Sequence, residues 1–263
     1  MKWKSILLLA VSFCIAITGS AFADLSDGLV AYYSFSGNAD DMSGGGNHGT
    51  VEGATLTADR FGNSNSAYSF DGIDDYIEIG DVEIVSGNTM SISAWFKTSG
   101  TLQYATAIVS KLYSSPAYHL GGSLPRDGGN KIEFLVGGYC YAESNAALND
   151  GLWHHAVGVY DGTLTSDNLK LYIDDFLQDK TRDSTANIID SSDPLTMGAT
   201  KHSSGSPIAD YLDGVIDDVR IYNRALTASE VHDLYVIPAP SAILLATLGL
   251  SLAGWKLRRR KEY

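Results

Sequence analysis

The sequence predicts an all-β fold in which two antiparallel sheets pack face to face as a sandwich. Short apolar runs alternate with polar residues at a period of two, which is typical of strands that bury one face. Gly, Asn, Asp and Ser separate these runs at the spacing common in β-sandwiches. Helix signals are nearly absent, so an α/β arrangement is not expected.

The predicted strands follow one another through one domain, and the sequence has no internal repeat or low-complexity linker. In the clearest strand, Met90, Ile92 and Phe96 share one face, whereas Ser91 and Trp95 share the other. One face of each sheet should therefore enter the core and the other should be wetter. Strands are predicted over 29–35, 67–70, 76–79, 90–97, 107–111, 118–120, 131–136, 154–160, 169–173, 195–197 and 214–222.

One helix is predicted after the last strand. Thr227 can cap its first turn, and Glu230 stands three residues later, as a capping box requires. This signal lies at the end of the predicted domain, which extends over 24–236.

The chain begins with a predicted signal peptide over 1–23. Lys2 and Lys4 precede an apolar run over 6–17, and Ala-Phe-Ala at 21–23 is a small-residue cleavage pattern. The alternative is an uncleaved membrane anchor. The shortness of the apolar run favours cleavage, because a spanning helix needs about 20 apolar residues.

The last residues predict a short transmembrane helix over about 242–257. A Pro-Ala-Pro box at 238–240 precedes this apolar run, and basic residues fill 258–261, as expected for a cytoplasmic end. The alternative is an amphipathic helix on the domain, but the segment has no polar face. The layout over 237–263 resembles the PEP-CTERM sorting signal of Gram-negative bacteria, although the family usually has Pro-Glu-Pro. The resemblance implies an exosortase-type sorting enzyme as a partner. It also implies export, anchoring in the inner membrane and then a cell-surface or extracellular location.

Charge and cysteine content limit the partners and the stabilising devices. The whole chain carries a net charge of −13. The targeting segments hold seven of its 18 basic and one of its 31 acidic residues, which leaves −19 for the domain. Such a domain should repel nucleic acid and anionic lipid. Cys140 is the only cysteine left, so the core or bound metal must stabilise the domain without an internal disulfide.

The last strand contains a carboxylate that needs a compensating partner. Alternation places Asp217 on the same face as Val215, Val219 and Ile221, which should point at the core. A buried carboxylate costs several kcal/mol unless an arginine, backbone N–H groups or a metal ion compensates it. All three partners are open from the sequence.

Six phrases stand in a fixed order along residues 28–235: GLVAYYSFSGNADDMSGGGNHGTVEGA, YSFDGIDDYIEI, TMSISAWFKT, LNDGLWHHAVGVYDG, LKLYIDDFLQD and LDGVIDDVRIYNRALTASEV. Their order resembles that of LamG-like jellyroll domains of the concanavalin A-like lectin/glucanase superfamily. The resemblance implies a two-sheet jelly roll. It also implies binding of calcium, glycans or proteins, so fold alone does not decide the function.

Calcium is the metal that this loop and strand would suit. Asp41 and Asn47 lie in a Gly-rich loop that can turn its carbonyl oxygens inward, and calcium takes six to eight oxygen ligands. Related domains often hold a structural calcium where an N-terminal loop meets the last strand, so we expect Asp41, Asn47 and Asp217 to bind it. The alternative partners of Asp217 are loop N–H groups, Arg60 or Arg220. The Asp-rich phrase FDGIDDY is expected to be a tight turn rather than a second metal site.

The sequence argues against catalysis. Related glucanases place paired carboxylates on one strand as Glu-x-Asp-x-x-Glu or Glu-x-Asp-x-Glu. Here the nearest set is Glu78, Asp81 and Glu83, and its spacing puts the first two on opposite faces of a plain strand. The histidines lack zinc-ligand spacing, and no nucleophile elbow is present.

The preferred interpretation is therefore a non-catalytic, calcium-stabilised module that binds extracellular polysaccharide or matrix. Aromatic rings cover the apolar faces of sugars, and five of them lie in or beside predicted strands. The alternative is a structural or adhesive surface protein that contacts other proteins, and a glycoside hydrolase is a remote third. The candidate ligand-binding residues are Trp95, Tyr104, Tyr118, Tyr139 and Tyr141.

Overall fold

The computed structural model confirms the predicted sandwich of two antiparallel sheets. It describes residues 24–84, 88–111, 118–123, 129–137, 140–184, 188, 193–201 and 207–237. The predicted signal peptide and the apolar segment at 242–257 lie outside these residues. No helix among the described residues is long and apolar enough to cross a membrane.

Eighteen strands and one helix make up the described fold, including seven strands that the sequence did not predict. In chain order they are β1 (Leu29–Tyr33), β2 (Gly49–Glu52), β3 (Thr55–Thr57), β4 (Ala67–Asp71), β5 (Tyr76–Ile79), β6 (Thr89–Lys97), β7 (Ala107–Lys111), β8 (Tyr118–Gly122), β9 (Ile132–Val136), β10 (Cys140–Glu143), β11 (Trp153–Asp161), β12 (Leu169–Ile173), β13 (Phe176–Leu177), β14 (Lys180–Arg182), β15 (Leu195–Met197), β16 (Thr200–Lys201), β17 (Ile208–Ala209), β18 (Asp213–Tyr222) and α1 (Ala228–Val236).

The two sheets are formed by strands that are distant in sequence. The first sheet has the order β13-β12-β11-β6-β18-β4-β3, and β1 pairs with the second half of β18. The second sheet has the order β14-β10-β9-β8-β7-β15-β5-β2. A small β16–β17 hairpin stands apart from both. The inner faces of the two large sheets enclose the main core.

The core is closely packed where β11 of the first sheet crosses β9 of the second. Phe96 and Ile216 enter the core from the first sheet, and Leu120 and Phe134 enter it from the second; all four are fully buried. A Cβ on Gly158 would lie 2.2 Å from the Phe134 ring, so only glycine lets this ring pack against β11.

Helix α1 begins at the predicted capping box. The Thr227 hydroxyl accepts a hydrogen bond from the Glu230 backbone N–H, and the Glu230 carboxylate accepts one from the Thr227 backbone N–H at 2.8 Å. Val231 and Leu234 pack against Tyr222 on the outer face of the first sheet. The helix therefore covers one part of that face with a second, smaller apolar cluster.

A bulge at Asp218 interrupts the pairing of β18 with β6. Asp217 lies opposite Trp95, but the next paired residues are Arg220 and Ser93. Asp218 takes a left-handed backbone with a φ of 50°, which aspartate tolerates better than most residues. One extra residue in β18 therefore shifts the alternation of its side chains.

The bulge changes which residues of β18 face the core. Ile216 enters the core before the bulge, whereas Val219 and Ile221 enter it afterwards. The prediction that Asp217 shares the core face with Val215 and Val219 is therefore wrong. Asp217 lies on the outer face of the first sheet, where it is 3% exposed.

Two arginines compensate the buried carboxylates at the bulge. Arg60 contacts Asp217 Oδ2 at 2.7 Å through Nη1 and Asp218 Oδ2 at 2.9 Å through Nη2. Arg220 Nη2 lies 3.0 Å from Asp218 Oδ1. The Arg60 guanidinium also stacks over Trp95, with its Cζ 4.6 Å from the ring centroid. These four charged residues, Arg60, Asp217, Asp218 and Arg220, form the bulge network.

Burial opposes ionisation within the bulge network. Desolvation, followed by repulsion from Asp218, raises the pKa of Asp217 to about 7, and Arg60 opposes this shift. His155 lies next to the network, is 1% exposed and stacks on Trp95 with ring centroids 4.9 Å apart. Desolvation, followed by the charges of Arg60 and Arg220, lowers the pKa of His155 to about 3, so this ring is neutral near pH 7.

We predict that Arg60→Met will cost about 3–5 kcal/mol of unfolding free energy, because it leaves buried carboxylates without their partner. Urea unfolding of Arg60→Met and Arg60→Met/Asp217→Asn will measure the loss, and the second change should recover part of it. Arg182→Met, at an exposed arginine, is the control. An Arg60→Met protein as stable as the wild type would contradict the structural role of the network.

We also predict that His155 makes the fold sensitive to acid. The folded pKa of His155 lies below the ordinary 6.5, so its contribution to stability is present above pH 6.5 and is lost as the pH falls. Between pH 7.5 and pH 5 the wild type should lose about 2 kcal/mol of unfolding free energy relative to His155→Gln.

His154→Gln provides a control of opposite sign. The hydrogen bond that the His154 ring donates through Nδ1 to Asp174 Oδ2, at 2.7 Å, raises the pKa of His154. Its stabilisation is therefore present below pH 6.5 and lost as the pH rises. The unfolding free energy of the wild type should exceed that of His154→Gln by a margin that grows towards pH 5. If the unfolding free energies of His154→Gln and His155→Gln changed equally with pH, this assignment would be contradicted.

Candidate functional site

The Gly-rich loop after β1 is organised around the Asp41 carboxylate. Asp41 Oδ1 accepts hydrogen bonds from the backbone N–H groups of Tyr32 and Ser43 at 3.0 and 2.9 Å. Its Oδ2 accepts one from the Asn47 N–H at 3.0 Å. Burial by itself would raise the pKa of Asp41, but these hydrogen bonds outweigh it and lower the pKa.

Polar atoms of this loop surround a small space beside Gly45. A Cβ on Gly45 would lie 2.7 Å from the Val30 carbonyl oxygen, 2.8 Å from the Asn47 side-chain amide and 3.1 Å from Asp41 Oδ2. Asn47 Nδ2 donates a hydrogen bond to the Val30 carbonyl oxygen at 3.1 Å, so the amide would have to give up this bond and turn over for its oxygen to face a cation. This set of oxygens fits a hard cation such as calcium, although it supplies fewer than the six to eight ligands that calcium takes.

The structure brings two of the three predicted calcium ligands together. We call the space beside Gly45 that is lined by Val30, Asp41 and Asn47 the Gly45 cradle. Asp41 and Asn47 share this cradle, whereas Asp217 is hydrogen-bonded to Arg60. Arg60 is one of the two arginines that the sequence offers as alternatives to a metal at Asp217. Arg220, the other alternative, contacts Asp218.

A second group of carboxylates lies in the turn before β5. Side-chain oxygens of Asp71, Asp74 and Asp75 lie within 4.8 Å of one another, which would allow a metal ion to bind. Asp71 Oδ1 accepts a hydrogen bond from Ile73 N at 2.8 Å, in keeping with the predicted tight turn. Burial, followed by the charges of Asp71 and Asp74, raises the pKa of Asp75, and a bound cation would relieve that repulsion.

The five predicted aromatic residues do not form one site. Trp95 on β6 stacks against Tyr235 of α1, and the centroids of the two rings are 5.6 Å apart. Tyr118 is buried in the main core, and Tyr139 lies outside the described residues. Tyr104 and Tyr141 remain accessible: Tyr104 is 40% exposed and Tyr141 is half-buried.

Tyr104 and Tyr141 lie at two sides of a polar layer on the outer face of the second sheet. Tyr141 is on β10 opposite Leu135 and Arg182. Tyr104 belongs to the β6–β7 connection, which packs against β8, because a Cβ on Gly121 would lie 2.2 Å from the Thr106 carbonyl oxygen. We call the buried polar residues of this face the polar layer: Ser110, His119, Glu133, Glu143 and Thr196.

Two glutamates of the polar layer face each other. Glu133 on β9 lies directly opposite Glu143 on β10, and both are at most 1% exposed. Like charges at such positions destabilise a sheet unless they are compensated. Lys131 Nζ and Lys180 Nζ lie 3.4 and 3.9 Å from Glu143 Oε1 and provide positive charge.

The glutamate pair is absent from the residues predicted from sequence. Glu133 stands between Ile132 and Phe134, and the strand pattern IEFLV does place it on the polar face. Its position opposite Glu143 depends on the register between β9 and β10, which the strand pattern alone does not specify. The carboxylates considered from sequence, Glu78 and Asp81, do not belong to the polar layer.

Several solved structures share this fold. Domain 4 of AbnA, a GH43 extracellular arabinanase from Geobacillus stearothermophilus, in complex with arabinotriose, is 23% identical with a TM-score of 0.59. That match covers 79% of this chain and 98% of the other. The botulinum neurotoxin serotype D binding domain is 16% identical with a TM-score of 0.58, over 82% of this chain and 52% of that one.

The binding domain of botulinum neurotoxin DC, in complex with rat synaptotagmin II, is 16% identical with a TM-score of 0.57. The match covers 80% of this chain and 51% of the toxin chain, so the chain spans about half of these toxin domains. At such identities the likeness shows the fold alone. No curated protein matched the sequence.

Residues 71–232, more than half of the chain, match the family described as the concanavalin A-like lectin/glucanases superfamily. The sandwich of two antiparallel sheets agrees with this assignment. The chain is therefore a member of the concanavalin A-like lectin/glucanases superfamily, with a laminin G-type domain.

Proposed function

We propose that this chain is a non-catalytic module that binds carbohydrate on the outer face of its second sheet. The carrying observation is that the aromatic rings of Tyr104 and Tyr141 remain accessible beside the second sheet, whereas the polar layer itself is buried. Aromatic rings can cover the apolar faces of sugars while neighbouring polar groups hold the hydroxyls. The arabinotriose complex of the fold neighbour from the arabinanase supports the same ligand class.

Calcium binding at the Gly45 cradle belongs to the same proposal. Asp41 would supply charge and Val30 a carbonyl oxygen, and Asn47 would supply an amide oxygen once its side chain exchanged the hydrogen bond to Val30 for the cation. A cation there would tie the loop after β1 to the edge of the first sheet. Its role would be structural, because the cradle and the polar layer lie on different sheets.

The targeting segments place this module outside the cell in our proposal. The signal-like residues at 1–23 support export, and the segment at 237–263 supports transient membrane anchoring and processing by an exosortase-type enzyme. The binding partner would then be an extracellular polysaccharide or a component of the cell surface.

An adhesive protein that contacts other proteins is the second candidate. The neurotoxin binding domain, about half of which shares this fold, is in complex with a protein, synaptotagmin II. The acidic surface of this chain would favour a basic partner. The binding experiment below separates the two candidates.

A glycoside hydrolase is a remote third candidate, because the glutamate pair is the nearest approach to paired carboxylates but both side chains are at most 1% exposed. Cross-strand partners have Cβ atoms about 4.5–5.5 Å apart. Retaining glycosidases hold two carboxyl groups about 5–5.5 Å apart. Incubation with arabinan and xylan should release no reducing ends if the module is non-catalytic. Hydrolysis that is lost in both Glu133→Gln and Glu143→Gln would establish the enzyme instead.

We predict that calcium at about 100 times its dissociation constant will raise the melting temperature by about 5–10 °C relative to chelator. Asp41→Asn should reduce this response, because it removes the charge that faces the cradle. The exposed neighbour Asp40→Asn is the matched control and should keep the full response. Identical melting of the wild type in calcium and in chelator would exclude a structural calcium.

We predict that a glycan array will show binding to one class of oligosaccharide. Tyr104→Ala and Tyr141→Ala should each weaken that binding about tenfold, through loss of about 1.4 kcal/mol of ring contact. Phe176→Ala, at a 75% exposed aromatic residue of the first sheet, should have no effect. An array without any binding would favour the adhesive protein.

A further inference from the structure

A groove with a volume of about 220 Å³ lies at one end of the outer face of the first sheet. It is separate from the polar layer, which belongs to the second sheet. Its floor is formed by β4, β6 and β18, and the connections at Ser99 and Gly151 form its rim. We call it the Lys97 groove. The lining side chains that matter are Ser69, Lys97, Thr98, Ser99, Asp213 and Val215.

Strand register aligns the floor of this groove. Val215 lies opposite both Lys97 and Ser69, and Trp153 lies opposite Lys97 on the other side. The four side chains therefore form a row across β11, β6, β18 and β4. Lys97 Nζ lies 5.3 Å from the centroid of the Trp153 ring, so an apolar ring and a hydrogen-bond donor are neighbours.

The two charged groups of the groove make no ion pair among the residues that the structure describes. Four other lysines, Lys111, Lys131, Lys180 and Lys201, each lie within 4.0 Å of a carboxylate. Lys97, in contrast, makes no ion pair with any residue that the structure describes. The Asp213 carboxylate likewise forms no ion pair within the described parts of the chain.

The backbone around Asp213 is nevertheless held in place. The Thr98 hydroxyl donates to the Asp213 carbonyl oxygen and accepts a hydrogen bond from the Gly100 N–H at 2.9 Å. A Cβ on Gly100 would lie 3.0 Å from Asp213 Oδ2, so a larger residue would crowd the carboxylate. The fold thus fixes the backbone at Asp213, whose exposed carboxylate lies on the rim of the groove and makes no ion pair with a described residue.

We propose that the Lys97 groove binds a neutral sugar unit, as a second saccharide site on the opposite side of the sandwich. A sugar hydroxyl donates and accepts hydrogen bonds, so adjacent hydroxyls suit a donor-only ammonium beside an acceptor-only carboxylate. Ser69 and Ser99 offer further hydroxyl partners, and Val215 and Trp153 offer apolar surface. An anionic sugar suits the groove less well, because Asp213 lies next to Asp71 in the register.

The size of the groove limits what it can hold. Its volume is below the about 300–1,000 Å³ of pockets that enclose drug-sized ligands, so it suits one unit at a chain end or branch. Together with the second-sheet site, it would let one module contact two polysaccharide strands. The groove proposal itself does not depend on the second-sheet site.

The test is isothermal titration calorimetry of the purified protein with arabinotriose, xylotriose and cellotriose, and with trigalacturonic acid as the anionic counterpart. We expect a neutral trisaccharide to bind, and Lys97→Met and Asp213→Asn each to weaken that binding at least tenfold. Lys170→Met removes another lysine without an ion pair among the described residues and should change nothing. Melting temperatures of all variants should match that of the wild type, since every change is at the surface.

Tyr141→Ala separates the two sites. Binding that Lys97→Met weakens and Tyr141→Ala leaves intact supports the groove even if the second-sheet site fails. Binding that responds only to Tyr141→Ala overturns the groove proposal and leaves the proposed function standing. Binding of trigalacturonic acid alone, or of no trisaccharide at all, also overturns the groove proposal.

Discussion

The bulge network is the interaction on which the organisation of the first sheet depends. Asp218 adds one residue to β18, so that apolar residues before and after it face the same core. That shift turns Asp217 towards the outer face and brings it beside Asp218, where like charges repel. Arg60 makes this arrangement possible because it reaches both carboxylates at 2.7 and 2.9 Å. The guanidinium group of Arg60 therefore stabilises the bulge, at which the side chains of β18 change their alternation between the two faces.

The same network divides the outer face of the first sheet into two regions. Arg60, Trp95 and His155 form a stacked group beside α1, in which His155 is buried and Trp95 is half-buried. Beyond it, where α1 no longer covers the sheet, Lys97 and Asp213 line an open groove. No helix among the described residues packs on the second sheet, where the polar layer is buried and Tyr104 and Tyr141 remain accessible beside it. Each sheet thus offers one candidate surface for saccharides.

Sequence pattern predicted the parts of the fold that depend on local chemistry. The strand at 90–97 was predicted from alternation alone, and the capping box of α1 from two residues. The candidate site was predicted less well. Of five aromatic residues, Trp95 and Tyr118 are packed within the fold. Glu133 and Glu143 were missed because only strand register brings them opposite each other.

By itself the sequence determined the sandwich class, the acidic charge and the capped helix, because these follow from periodicity and composition over short stretches. The family came from a resemblance carried by six phrases in order. The sequence also offered Arg60 as one possible partner of Asp217. Only the tertiary structure decided that Arg60, 157 residues away, takes that place. It also decided which polar side chains share a groove or a layer. The physical reason is that the bulge at Asp218 changes which residues of β18 point into the core. A prediction from period-2 alternation alone cannot detect such a bulge.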